Sequence, residues 1–301
     1  MAEHGNPLVH VMDHTTIEIP GGFSIGGVGP EIHLPTILGI QVTRFMVMEV
    51  VAAVLILLVM IPLARHVARQ KVTRGPFWNL FEALILFIRD GIARPSIGQP
   101  GAGHGHEFQG DASVAAAHGH AHAPARHYSG DDFVPFLWTL FFFVLVCNLL
   151  GMVPGGASPT GNINVTGMLA LLTFGTVVVT GSRVMGPVRY WLSIVPPMDV
   201  PKFLKPFLWT LMFFIELMGL LIKHIVLSVR LFANMLAGHI VLVVILGFTL
   251  QAVGLFTYLV TPVSVLGVVA LSLLELFVAV LQAYIFTFLS ALFIGSAVHP
   301  H

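Results

Sequence analysis

Ile215-Glu-Leu-Met-Gly-Leu-Leu-Ile-Lys-His-Ile-Val-Leu-Ser-Val-Arg230 runs directly into Leu231-Phe-Ala-Asn-Met-Leu-Ala-Gly-His239 and then Ile240-Val-Leu-Val-Val-Ile-Leu246. Without its charges, either half of this stretch reads as a membrane span. Arg230 is the exception that decides the reading, because a guanidinium stays protonated at any physiological pH. Burying it in mid-bilayer costs about 2.5–3.5 kcal/mol on insertion scales, so an intramembrane arginine points to a function. Its counterpart is expected to be a carboxylate or a water-filled cavity.

Composition agrees with a membrane setting. Hydrophobic residues make up 56% of the 301 and charged residues only 9%, with a mean hydropathy of +0.91. A soluble domain carries about a quarter of its residues charged. The expected fold class is therefore an all-α polytopic membrane protein lying in a lipid bilayer. Fourteen basic and fourteen acidic residues balance to zero, which leaves no basic face for a nucleic-acid partner. Cys147, the single cysteine, has no internal disulfide partner. The first forty residues lack a basic n-region followed by an apolar core, so no cleaved secretory signal is expected. A bacterial inner membrane is the simplest location.

Outward from the central stretch, the apolar pattern predicts about five crossings. Residues 1–44 form an N-terminal segment broken by glycine and proline, expected outside the cell. A first span at 45–64 is followed by Arg65, Arg69, Lys71 and Arg74, which marks that end as cytoplasmic. Residues 65–133 form a cytoplasmic segment. Within it, 77–92 is too short to cross and gathers Asn79, Glu82, Arg89 and Asp90 in a stripe of about 100°, as an interfacial amphipathic helix does. Residues 101–128 are a Gly/Ala/His-rich insert containing His104, His106, His118, His120, His122 and His127. It reads as a flexible solvated insert rather than a metal tract, since nothing in the pattern fixes the imidazoles. A hairpin of two spans covers 134–181 and a cytoplasmic loop 182–205. A long helical hairpin at 206–296 forms the expected ion pathway and ends in a cytoplasmic C-terminus. At 1.5 Å per residue its first helix reaches about 60 Å, twice the hydrocarbon thickness, so it must tilt, curve or lie partly in the interface.

Ideal helix geometry places Lys223 about 20° from Arg230, and Asn234 and Glu216 each about 40° away, in one polar stripe; His239 falls about 180° away. Glu275 is the only acid of the last span, and Gln282 lies one heptad later on the same face. If the hairpin turns at about 254–261, His239 and Glu275 lie at similar depth, some eighteen residues to either side of its middle. An imidazole and a carboxylate so placed can exchange protons through water, or can simply join two helices by a hydrogen bond. For Arg230 the structural alternative is a salt bridge to Glu216 or Glu275. The pair Lys223-His224 is suited to hydrated interface.

The segment Arg230-Leu-Phe-Ala-Asn-Met-Leu-Ala-Gly-His239 resembles the signature of subunit a of the F-type ATP synthase membrane sector. Phe87-Ile-Arg-Asp-Gly-Ile-Ala-Arg-Pro95, Asn148-Leu-Leu-Gly-Met-Val-Pro154, Thr160-Gly-Asn-Ile-Asn-Val-Thr166 and Leu281-Gln-Ala-Tyr-Ile-Phe286 agree in order. The resemblance implies a non-catalytic stator protein that flanks a rotating c-ring, associates with peripheral-stalk b subunits and needs no cofactor. It implies roles for Arg230 as the essential arginine, for Asn234 and Gln282 as its neighbours, and for Glu216 at the cytoplasmic exit. It implies that His239 and Glu275 form a polar pair on the access side, in an order that some bacterial members reverse. The sequence departs from the family where Lys223-His224 replaces a basic residue followed by proline, and in the insert at 101–128. No Gly-x-x-x-x-Gly-Lys-Ser/Thr loop is present, so phosphoryl chemistry is expected elsewhere. Two other classes compete. An ion-coupled carrier would show internal repeats with broken helices, which are not evident. A haem subunit using His224 or His239 would need a facing histidine, and the last span has none before its tail.

Overall fold

The structure is a computed structural model that describes residues 16–18, 31–33, 36–37, 40–69, 75–98, 129–153, 158–195, 203–251 and 256–298. The His-rich insert at 101–128 and much of the N-terminal segment lie outside the described residues.

Among the described residues five helices are long and apolar enough to cross a membrane, which makes the chain an all-α polytopic membrane protein. They are α1 (Arg44–Arg69), α4 (Gly130–Met152), α5 (Ile163–Met185), α7 (Lys205–Gln251) and α8 (Phe256–Val298). Between α1 and α4 lie α2 (Pro76–Leu86), a π-helical turn (Phe87–Ala93) and the short α3 (Arg94–Ile97). A 3₁₀ turn at Pro159–Gly161 precedes α5, and the short α6 (Pro187–Ser193) follows it. The N-terminal segment, expected to be irregular, contains two small antiparallel hairpins. These pair β1 (Thr16–Glu18) with β2 (Glu31–His33) and β3 (Thr36–Ile37) with β4 (Ile40–Gln41). Strands of two or three residues carry too little periodicity to be read from sequence.

Two boundaries differ from expectation. The interfacial helix does not stop at 92: the helical path continues through the π turn to Ile97. The last helix begins at Phe256 and takes Pro262 inside it, so residues 256–261, expected in the turn, are helical. Proline removes one backbone donor but is tolerated in membrane helices, where neighbouring groups satisfy the freed carbonyl. The apolar stretches of α7 and α8 run 41 and 39 residues, about twice what one perpendicular crossing needs.

The chain divides into two compact units. The unit comprising Met1–Asn79, Thr139–Leu171 and Lys223–Phe286 buries Leu227, Ser228, Leu231 and Met235 of α7. On α8 it buries Glu275, Ala279, Gln282, Ala283 and Phe286. The spacings 275, 279, 282, 286 are those of one helical face. The Ser228 hydroxyl donates to Thr166 Oγ1 of α5 at 3.1 Å, which fixes the side of α7 that faces inward.

The other unit comprises Leu80–Trp138, Leu172–Ile222 and Thr287–His301. Its π turn buries Ile88, Ile92 and Ala93. A switch to i→i+5 bonding strands a carbonyl at the start of the turn. Here the Trp138 indole N–H donates to Ile85 O at 3.2 Å. Arg94 forms a two-pronged bond to Asp131, Nε to Oδ1 at 2.9 Å and Nη2 to Oδ2 at 3.0 Å, and also donates to Asp90 at 2.9 Å. Gly130 N–H bonds Gly98 O at 3.0 Å, so the two stems flanking the insert are joined. The Arg89 hydrogen bond holds the Asp90 carboxyl below the usual carboxylate range. Gly295 lies so close to the Ser96 carbonyl that a Cβ would overlap it.

Candidate functional site

Helix α7 forms because leucine is its commonest residue and its proline, Pro206, sits in the first turn where no helix bond is lost. Its rotation is set by the buried face Leu227, Ser228, Leu231 and Met235, and this leaves Arg230 exposed. Around it the outer face carries exposed Ile225, Val226, Val229, Val241 and Val244. Among the described residues no ion pair or hydrogen bond engages the Arg230 guanidinium. Neither Glu216, half-buried on the same helix, nor Glu275 pairs with it. Lys223 and Asn234 are likewise exposed, so the polar stripe opens outward.

Asn234 links that stripe to α8: its Nδ2 donates to Gln282 Oε1 at 3.0 Å. Gln282 is almost wholly buried, and its Nε2 has no hydrogen-bond partner among the described residues. Toward the other end of the pair of helices, His239 Nδ1 lies 3.9 Å from Glu275 Oε1. That distance is too long for a direct hydrogen bond and short enough for one bridging water. Glu275 is 6% exposed, and its Oε1 and the His239 Nε2 have no hydrogen-bond partner among the described residues.

A cavity of about 240 Å³ lies beside this carboxylate, lined by Asn234, Gly238 and Glu275 together with apolar residues of α7 and α8. At about 30 Å³ per water in the liquid it has room for several waters. It runs from the acid to the neighbour of Arg230. Gly238 makes the approach possible, since a Cβ there would come 2.8 Å from Glu275 Oε1. Asn234, Gln282, His239 and Glu275 are thus brought together between α7 and α8. Arg230 stands one helical turn from Asn234 on the open side. Glu216 is not brought into this cluster by any described bond.

Sequence reasoning did not single out Gly238, nor a second group of buried polar residues. Asn148, Ser158 and Thr160 are interlinked at the end of α4, and Asn148 reaches Ala279 O of α8. The only sequence signal was that Asn148 and Thr160 fall in two of the family-like segments, with Ser158 between them. No group of three or more metal-binding side chains occurs among the described residues.

The profile of a family described as ATP synthase A chain matches residues 114–295. The chain is 39% identical over 273 residues to ATP synthase subunit a of Chloroherpeton thalassium, covering 89% of this chain and 71% of that one. It is 36% identical over 295 residues to ATP synthase subunit a 2 of Chlorobaculum tepidum, covering 96% and 71%. With ATP synthase subunit a of Myxococcus xanthus the identity is 38% over 267 residues, covering 88% and 76%. Five membrane-length helices among the described residues, Arg230 exposed on the outer face of α7 and these matches together place the chain in the family of ATP synthase subunit a.

Proposed function

We propose that this chain is the ion-translocating stator subunit of an F-type ATP synthase, providing two offset half-channels beside a rotating c-ring. The observation that carries this reading is Arg230, exposed on an apolar face and unpaired among the described residues. A cation kept there at a cost of about 2.5–3.5 kcal/mol is explained by a partner that arrives from outside the chain. That partner is the ionised carboxylate of a passing c subunit. Lowering its pKa by three units corresponds to about 4 kcal/mol, enough to complete proton release before the acid reaches the arginine. A permanently charged guanidinium is also a poor proton relay, so ions cannot leak past it and must turn the ring.

On the access side, His239 and Glu275 pass protons through the cavity toward Asn234 and Gln282, from which the ring acid is loaded. Glu216 serves the cytoplasmic exit. Each charge crossing 100 mV releases about 2.3 kcal/mol, and several must accumulate for each ATP. The subunit performs no phosphoryl chemistry itself. It sits in the bacterial inner membrane with its N-terminus outside and its C-terminus cytoplasmic, and it is held by peripheral-stalk b subunits.

Passive proton conduction through membrane vesicles stripped of the ATPase head tests the access route. Glu275→Gln and His239→Ala are each expected to slow conduction. The double exchange His239→Glu with Glu275→His is expected to retain part of it. Wild-type rates in both single variants would refute the assignment.

A further inference from the structure

We propose that Asn148 is a positioning residue for the ion pathway: its amide, oriented by Thr160 and Ser158, holds α8 in the rotation that presents Glu275 and Gln282 to α7. Asn148 and Thr160 are fully buried and Ser158 nearly so. Asn148 Nδ2 donates to Ala279 O at 3.3 Å. Thr160 Oγ1 donates to Asn148 Oδ1 at 2.7 Å, and Ser158 Oγ lies 2.7 Å from Thr160 Oγ1.

The directions in this network are forced. A carbonyl only accepts, so the amide must turn its N–H to Ala279 and its oxygen to Thr160. Thr160 then spends its one proton on Asn148, and Ser158 must donate to Thr160. Its alternative acceptor, Cys147 O, is farther at 3.4 Å. The network therefore runs one way, from the turn before α5 to the backbone of α8.

Its end point is the relevant fact. Ala279 lies one turn after Glu275 and one turn before Gln282, on the same buried face. Its small side chain lets α4 come within hydrogen-bond range of the α8 backbone. The seat is tight on the other side as well, because a Cβ on Gly151 would overlap Ser158. No member titrates near neutral pH and the network ends on an amide carbonyl, so it is not itself a proton conductor. A rotation of α8 would move Glu275 away from His239 and Gln282 away from Asn234 together. This inference rests on the proposed roles of Glu275 and Gln282.

The test uses the intact complex in inverted vesicles, comparing Thr160→Val, Thr160→Ser, Asn148→Ala and Glu275→Gln. Thr160→Val keeps the shape of the side chain but leaves Asn148 Oδ1 unpaired, whereas Thr160→Ser keeps the donor. Thr160→Val and Asn148→Ala are expected to slow ATP-driven pumping about tenfold, the scale of a small misplacement, and to shift the pH at half-maximal rate. Thr160→Ser is expected to restore both readouts. Wild-type rate and pH midpoint in Thr160→Val, alongside a slow Glu275→Gln, would overturn the positioning role alone. Equal impairment of Thr160→Val and Thr160→Ser would overturn it too. A wild-type rate in Glu275→Gln would instead remove the reading on which it rests.

Discussion

Asn234 donates its side-chain amide to Gln282 at 3.0 Å, which ties the helix carrying Arg230 to the helix carrying Glu275. A single interhelical hydrogen bond in a membrane is worth about 0.6 kcal/mol on average, with a maximum near 1.7. That is too little to hold the hairpin together. The bond is better suited to orienting two side chains beside Arg230. Asn234→Leu is therefore expected to leave assembly of the complex intact while lowering the pumping rate. Quantifying the chain in purified complex and measuring pumping in the same preparation checks both halves of the expectation.

Gly238 permits the Glu275 carboxylate to lie against α7. A methyl group there displaces the mobile end of a side chain rather than backbone, so Gly238→Ala is expected to fold. It is expected to reduce proton conduction severalfold by pushing the acid out of its place beside His239. Conduction through stripped vesicles is the measurement, and an unchanged rate would remove Gly238 from the account.

Gly295 presents the contrasting case. A Cβ there meets the Ser96 carbonyl, which belongs to backbone and cannot swing aside. Gly295→Ala is expected to cost about 1–3 kcal/mol, the range for overpacking, and to lower the yield of assembled chain. Thermal unfolding of the detergent-solubilised complex, monitored by loss of this subunit, reads the effect.

The Asp90 carboxyl is held below its ordinary range, first by the hydrogen bond from Arg89. A depressed carboxylate stabilises the fold above its unfolded pKa of about 3.9 and loses that contribution as pH falls through the lower folded value. The stability difference between the native chain and Asp90→Asn is thus expected to be constant from neutral pH down to about pH 5 and to shrink in stronger acid. A pH series of thermal unfolding checks it. A difference that grows toward acid would contradict the sign.

Much of the membrane architecture was legible because apolar runs and helix rise constrain it strongly. Arg230 was legible for the same reason, as a charge in a place that excludes charge. The π turn at Phe87–Ala93 was not, because the switch from i→i+4 to i→i+5 bonding has no residue signature of its own. The close approaches at Gly238 and Gly295 were invisible because a glycine's use depends on what lies opposite it. Asn148 and Thr160 stood out only as parts of matching segments, and Ser158 not at all. The Asn148 bond to Ala279 spans 131 residues of sequence, and no local pattern encodes it. The His239 and Glu275 positions followed from simple counting about a hairpin, although α8 begins earlier than expected.

ATP-driven proton pumping by Arg230→Ala complex in inverted vesicles, with the ATPase subunits intact, is the most direct measurement of the central claim. The account predicts that pumping is abolished while the complex still assembles, and that Arg230→Lys is severely impaired because an ammonium lacks the planar fork of a guanidinium. Wild-type pumping in Arg230→Ala would contradict it.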